Sequence, residues 1–162
     1  MADSKQLYQE VILDHDRKPR NWGVLVDATH KADGHNPLCG DHITLTLKLK
    51  GDQVEAVNFQ GESCAICKSS ASMMTTTIKE KSTRDVEQMI REFRNLATGK
   101  LVLSAPNQLG RLTKAFGGMS DHPTRVKCAI LPWHTLHAAL NSEASVTTEA
   151  DADPMHAPVG NA

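Results

Sequence analysis

An α+β fold, with a three-stranded antiparallel sheet packed on one face by several helices, follows from three features of this 162-residue sequence. Ile43, Leu45, Leu47 and Leu49 alternate with Thr44, Thr46, Lys48 and Lys50, the period-two pattern of a strand with one buried face. Gly51-Asp52 then marks a tight turn into a return strand carrying Val54, Ala56 and Phe59. Segments of helical period come next, and strands followed by helices is the α+β order.

The elements follow in chain order. Residues 4–16 read as a helix that Ser4 can cap, with Leu7, Tyr8, Val11 and Ile12 at helical spacing and a stop at Pro19 and Asn21. From Gly23 to Asp33, alternation of Val24, Val26 and Ala28 points to an edge strand beside the hairpin. The return strand carries an expected irregularity near Val57-Asn58. Residues 65–80 form a helix rich in Ser, Ala, Met and Thr, with Met73-Met74 in the core. Ser82 or Thr83 caps the next helix, whose stripe is Val86, Met89, Ile90, Phe93 and Leu96, closed by Gly99. A looser segment through Pro106 leads to a short helix with Leu109, Leu112, Ala115 and Phe116, ended by Gly117-Gly118. The last helix spans 131–140, with Pro132 in its first turn and Trp133 as a core anchor. Cys128 then lies just before a helix N-terminus, where dipole and free amides favour a thiolate.

Composition separates a folded part from a tail. Residues 141–162 hold four acids and no lysine or arginine, so the remaining 18 basic and 15 acidic residues leave residues 1–140 at +3. With few large apolar groups, the acidic tail is expected to be disordered, and 1–140 to be one domain. The overall charge of −1 gives no case for nucleic acid or an anionic membrane, and 4% aromatics argues against base stacking. Mean hydropathy is −0.38 and no apolar run is long enough to span a bilayer. The first residues show no apolar signal core, so a cytoplasmic setting is expected. In that reducing compartment the four cysteines point to metal or sulfur chemistry rather than disulfides.

Three of those cysteines have a placement argument or a motif. Pro37 and Gly40 make a turn that holds Cys39 and Asp41 at the start of the first hairpin strand, and Cys64 follows the end of the second. In a hairpin those two ends are neighbours, so Cys39, Asp41 and Cys64 should meet. Cys64-x-x-Cys67 alone is open between a zinc half-site, a redox pair and coincidence. No periodicity places Cys128. Three thiolates and a carboxylate would close a tetrahedral zinc site, or form an incomplete ligand set for an iron–sulfur cluster. His134 and His137, three apart on one helix, read as a solvated face.

The ordered set Asp14-His15, Pro19-Arg20-Asn21, Asn36-Pro37-x-Cys39-Gly40-Asp41, Gly61-Glu62-x-Cys64, Ser70-Ala71-Ser72-Met73-Met74 and Arg125-x-Lys127-Cys128 with Trp133 resembles the U-type iron–sulfur cluster assembly family. That family comprises IscU, the N-terminal domain of NifU, and SufU, and the resemblance covers about residues 5–140. It implies that Cys39, Cys64 and Cys128 are the essential cysteines and Asp41 the ligand aspartate. The SufU branch is the most similar: Lys127 stands where IscU has histidine, the Cys64–Cys128 stretch is long, and Pro123-Thr-Arg-Val-Lys127 replaces a chaperone motif. That branch implies Zn2+ held by Cys39, Asp41, Cys64 and Cys128. It also implies Cys39 as acceptor of persulfide sulfur from a PLP-dependent, SufS-like cysteine desulfurase, for delivery to downstream cluster assembly proteins. The alternatives are a scaffold holding a [2Fe–2S] cluster or iron on Cys39, Cys64 and Cys128, and a structural zinc domain for protein binding. Arg125 and Lys127 are possible auxiliaries to the thiolates. Cys67 stands where serine is usual; it is expected to pack as a small hydrophobe, with an auxiliary role in substitution for a ligand as the alternative.

Overall fold

β2 (Asp41–Lys50) and β3 (Gln53–Glu62) form the expected antiparallel hairpin around Gly51-Asp52. The computed structural model describes residues 4–148, with side chains from Gln9 onward. Ile43, Leu45 and Leu47 point inward and are buried, as their alternation requires. The irregularity falls at Glu55, which the register skips between Lys48↔Ala56 and Leu49↔Val54, and not at Val57-Asn58. There Lys48 bridges Asp27 at 2.7 Å and Glu55 at 3.4 Å on the outer face.

The sheet is four-stranded and mixed: β1 (His30–Asn36) and β4 (Ser145–Thr147) extend the hairpin in the order β3-β2-β1-β4, which corrects the three-stranded antiparallel expectation. β1 (His30–Asn36) lies antiparallel to β2, later in the chain than the Gly23–Asp33 edge strand expected from Val24, Val26 and Ala28. Val26 is fully exposed and Val24 half-exposed, so that alternation buries nothing. The inward residues of β1 are Ala32, Gly34 and Asn36. A strand whose buried positions are small or polar shows no hydrophobic period, so the pattern pointed elsewhere.

A short β4 (Ser145–Thr147) pairs parallel with β1, in the segment expected to be disordered. After the final helix, Glu143 N–H donates to the Ala138 carbonyl (2.8 Å) and the chain reverses. Asp33 N–H then donates to the Ala144 carbonyl and Thr148 N–H to the His35 carbonyl, each at 2.9 Å, and Val146 is buried. Two backbone bonds and one buried valine order what composition alone reads as solvated. Residues 149–162 and the side chains of Ser4, Leu7 and Tyr8 lie outside the described residues.

The described residues form five α-helices: α1 (Ser4–Arg17), α2 (Ala65–Ile78), α3 (Thr83–Ala97), α4 (Leu112–Phe116) and α5 (Pro123–Leu140), of which α2 and α5 pack on the sheet and α1, α3 and α4 pack against other helices. Ser82 caps α3 by accepting the Asp85 N–H at 3.1 Å, and the stripe from Val86 to Leu96 is buried. Trp133 stacks on Phe93 at 4.6 Å between ring centres, and Met73 and Met74 are buried. α2 buries hydroxyls as well, each with a partner. Ser70 Oγ donates to the Ala129 carbonyl (2.6 Å) and accepts from Trp133 Nε1 (3.2 Å). Ser72 Oγ meets His15 Nδ1 (2.7 Å) and accepts the Arg20 N–H (2.8 Å). Small side chains let α1 and α5 come close to α2 without leaving buried polar atoms unpaired. Among the described residues no helix is long and apolar enough to cross a membrane.

α5 begins eight residues earlier than expected, with Pro123 rather than Pro132 in its first turn. Pro132 sits inside the helix, where it cannot donate to the Cys128 carbonyl. With two prolines in reach, the first-turn preference is satisfied by the other one. Cys128 is therefore in the second turn of α5 and not at a helix N-terminus. His134 is buried and His137 half-buried, which corrects the solvated face.

His137 Nδ1 lies 3.0 Å from Glu87 Oε2, joining the last turn of α5 to α3. The Glu87 carboxylate raises the His137 pKa above its ordinary value, against burial. A raised folded-state pKa gives stability that is fully present below the unfolded imidazole value and lost as pH rises through the folded one. Glu87→Gln should therefore remove up to about 1 kcal/mol of stability below the ordinary imidazole value and progressively less as pH rises through the raised His137 value. Thermal unfolding of both proteins across that range checks it, and equal losses at both ends would refute it.

Candidate metal centre

Four elements converge where the open end of the hairpin meets α5. The β1–β2 turn supplies Cys39, and the first residue of β2 supplies Asp41. Cys64 is the N-cap of α2, and Cys128 comes from α5. Cys39 Sγ and Cys128 Sγ are 3.3 Å apart, and Cys64 Sγ is 3.9 Å from Asp41 Oδ2. Ligand atoms of Cys39, Asp41 and Cys128 all lie within 4.8 Å of one another. Cys64 lies beside Asp41, as the hairpin argument expects, but outside that mutual group of three, which Cys128, placed by no spacing, joins instead.

Accessibility differs sharply across the four. Cys128 is 0% and Asp41 2% exposed, Cys64 is intermediate, and Cys39 is exposed on its turn beside an exposed Leu38. Asp41 bridges the hairpin to α2 by accepting the Cys64 N–H on Oδ1 at 2.8 Å. Asn36, itself fully buried, donates from Nδ2 to Asp41 Oδ2 (3.1 Å) and to Cys128 Sγ (3.5 Å).

The hydrogen bond between Cys64 and Cys128, with helix position second to it, decides which thiol ionises more readily. Cys64, as N-cap, accepts the Cys67 N–H on its sulfur at 3.4 Å. A hydrogen bond from Cys128 and these α2 amides bring the Cys64 pKa down to about 7, against burial. Cys128 moves the other way, its pKa raised by its bond to Cys64 and by burial. The expected favoured thiolate at a helix N-terminus is therefore Cys64, not Cys128, because Cys128 sits inside its helix.

Cys67 is fully buried in a small apolar cluster with Ile43, Cys128 and Leu131, and burial pushes its thiol pKa well up. Its side chain packs as a small hydrophobe, as expected. Arg125 is exposed on the first turn of α5 and Lys127 is intermediate. Among the described residues neither hydrogen-bonds or ion-pairs with a side chain of the site. Asn36 was missed because an asparagine before proline reads simply as a turn former. Its polar side chain at an inward strand position was the signal.

A hairpin end gathering three thiols and a carboxylate, roofed by helices on one face, defines a small domain suited to a thiophilic metal or to sulfur exchange. Residues 7–108 match the family model of the NifU-like N-terminal domain. The zinc-dependent sulfurtransferase SufU of Bacillus subtilis is 43% identical over 88% of this chain and 95% of its own length. The iron–sulfur cluster assembly scaffold protein IscU of Streptococcus pyogenes is 34% identical over 90% of this chain and 91% of its own. A Fervidobacterium islandicum SufU structure, described as an iron–sulfur assembly scaffold for the SUF system, superposes with a TM-score of 0.76. It is 32% identical and covers 85% of this chain and 99% of that one. The chain belongs to the NifU-like N-terminal domain family, the U-type iron–sulfur cluster assembly proteins.

Proposed function

We propose that this protein is a zinc-dependent sulfur acceptor, in which Cys39 takes sulfur from a PLP-dependent cysteine desulfurase and delivers it for cluster assembly. The observation that carries the reading is the asymmetry of the site. Asp41 and Cys128 are buried and held by Asn36, and Cys64 is tied to a helix end, whereas Cys39 stands exposed on a turn. The donor set fits zinc. Sulfurs on a tetrahedral zinc at about 2.3 Å stand about 3.8 Å apart, close to the 3.3 Å here. Bound zinc would keep the thiols deprotonated yet exchangeable. Asp41, Cys64 and Cys128 would hold the ion, leaving the exposed Cys39 thiolate free to react. The thiolate attacks the terminal sulfur of the desulfurase persulfide, the partner's S–S bond breaks, and the partner leaves as a thiolate while Cys39 carries the persulfide. The name of the Bacillus relative supports zinc and sulfur transfer together.

The test is desulfurase turnover with added protein, beside zinc content. The parent chain should bind one zinc and raise turnover, and Cys39→Ala should abolish the rise. Cys67→Ser, a control at a buried non-ligand, should keep both zinc and stimulation. A parent chain that does not stimulate, yet shows an iron–sulfur spectrum after anaerobic reconstitution, would replace this reading with the scaffold.

A further inference from the structure

We propose that Thr148 and Asn36 form a positioning pair that holds the buried half of the ligand set, so that Cys39 is the ligand that leaves. The inference rests on the zinc reading above. Thr148 Oγ1 donates to Asn36 Oδ1 at 2.9 Å, and both side chains are buried. With its oxygen so engaged, the Asn36 amide directs its two N–H groups at Asp41 Oδ2 and Cys128 Sγ. The reverse amide orientation would set Oδ1 against a carboxylate and a thiolate, two acceptors without a proton to offer. The two anions select this orientation, and the Thr148 hydroxyl, donating to Oδ1, holds the side chain in it.

The contact exists because the chain comes back. α5 runs away from the site, the reversal after Asn141 sends the segment back parallel to β1, and β4 delivers Thr148 beside Asn36 across a sequence gap of 112 residues. Three thiolates and a carboxylate leave zinc with excess negative charge, so N–H donors decide which ligands are held best. Asn36 serves Asp41 and Cys128, and neither of its N–H groups reaches Cys39. Partners of this outer kind typically change metal affinity about 10–100-fold.

The full chain, zinc-loaded, is compared with Thr148→Val, Thr148→Ser and Thr148→Ala. Readouts are zinc affinity by competition with a chromophoric chelator, the absorption of the Co2+-substituted protein, and per-cysteine iodoacetamide labelling by mass spectrometry. Thr148→Val and Thr148→Ala should weaken zinc about tenfold, shift the Co2+ spectrum and expose Cys128 to labelling. Thr148→Ser should stay within about twofold of the parent. Unchanged affinity and spectrum in Val and Ala would overturn the inference, as would a Ser variant as impaired as Val, since strand packing would then explain the loss. A parent chain without tight zinc would instead remove the zinc reading beneath it.

Discussion

Gly61→Ala is expected to cost about 2–5 kcal/mol, lowering the melting temperature by roughly 5–15 °C. Gly61 adopts a φ of +145°, a conformation that L side chains rarely take. A Cβ there would stand 2.1 Å from the His42 carbonyl oxygen and 2.8 Å from Ile43 Cα. Both obstacles are backbone of β2, at Ile43, which pairs with Gly61, and at its neighbour His42, so no rotamer change relieves them. The strand end must separate, carrying Cys64 three residues on away from Asp41, whose carboxylate holds the Cys64 N–H. The variant should lose zinc affinity along with stability. A melting temperature within about 2 °C of the parent, by calorimetry on the metal-free protein, would contradict the argument.

Gly34→Ala should destabilise by about 1–3 kcal/mol, and the loss should be recoverable from the opposite side. Here the obstacle is a side chain. A Cβ on Gly34 would meet Thr135 Oγ1 at 2.0 Å, Leu131 Cδ1 at 3.1 Å and Thr135 Cβ at 3.2 Å. Thr135 Oγ1 is held by its 2.7 Å bond to the Leu131 carbonyl, so α5 moves as a unit or the bond breaks. Moving α5 off β1 widens the gap between Cys128 and its partners Asn36 and Cys39. Thr135→Ala removes the closest atom, so Gly34→Ala/Thr135→Ala should regain at least half of the loss. A double-mutant cycle by denaturant unfolding measures this, and simple additivity of the two changes would sink it.

These two glycines show where sequence reading stops. The hairpin was legible because its inward residues are Ile and Leu, and α3 because its apolar residues recur at helical spacing. β1 was not legible, because close approach of α5 demands Ala and Gly where a strand normally shows valine. β4, three residues of Ser-Val-Thr, is too short to carry a period, and its order comes from β1 and one buried valine. At the site, hairpin topology brought Cys39, Asp41 and Cys64 together, and family resemblance added Cys128. Which thiol gains from a helix N-terminus depended on where α5 starts, and two prolines nine residues apart left that to tertiary packing.

The spread of the ligands along the chain also orders events in time. Cys39 and Cys128 touch across 89 residues, and Thr148 reaches Asn36 across 112. Contacts of such separation close late in folding, after the hairpin and local helices. A chain that ends before α5 lacks Cys128 and the Thr148–Asn36 contact, so the buried half of the ligand set closes only after α5 and β4 have docked.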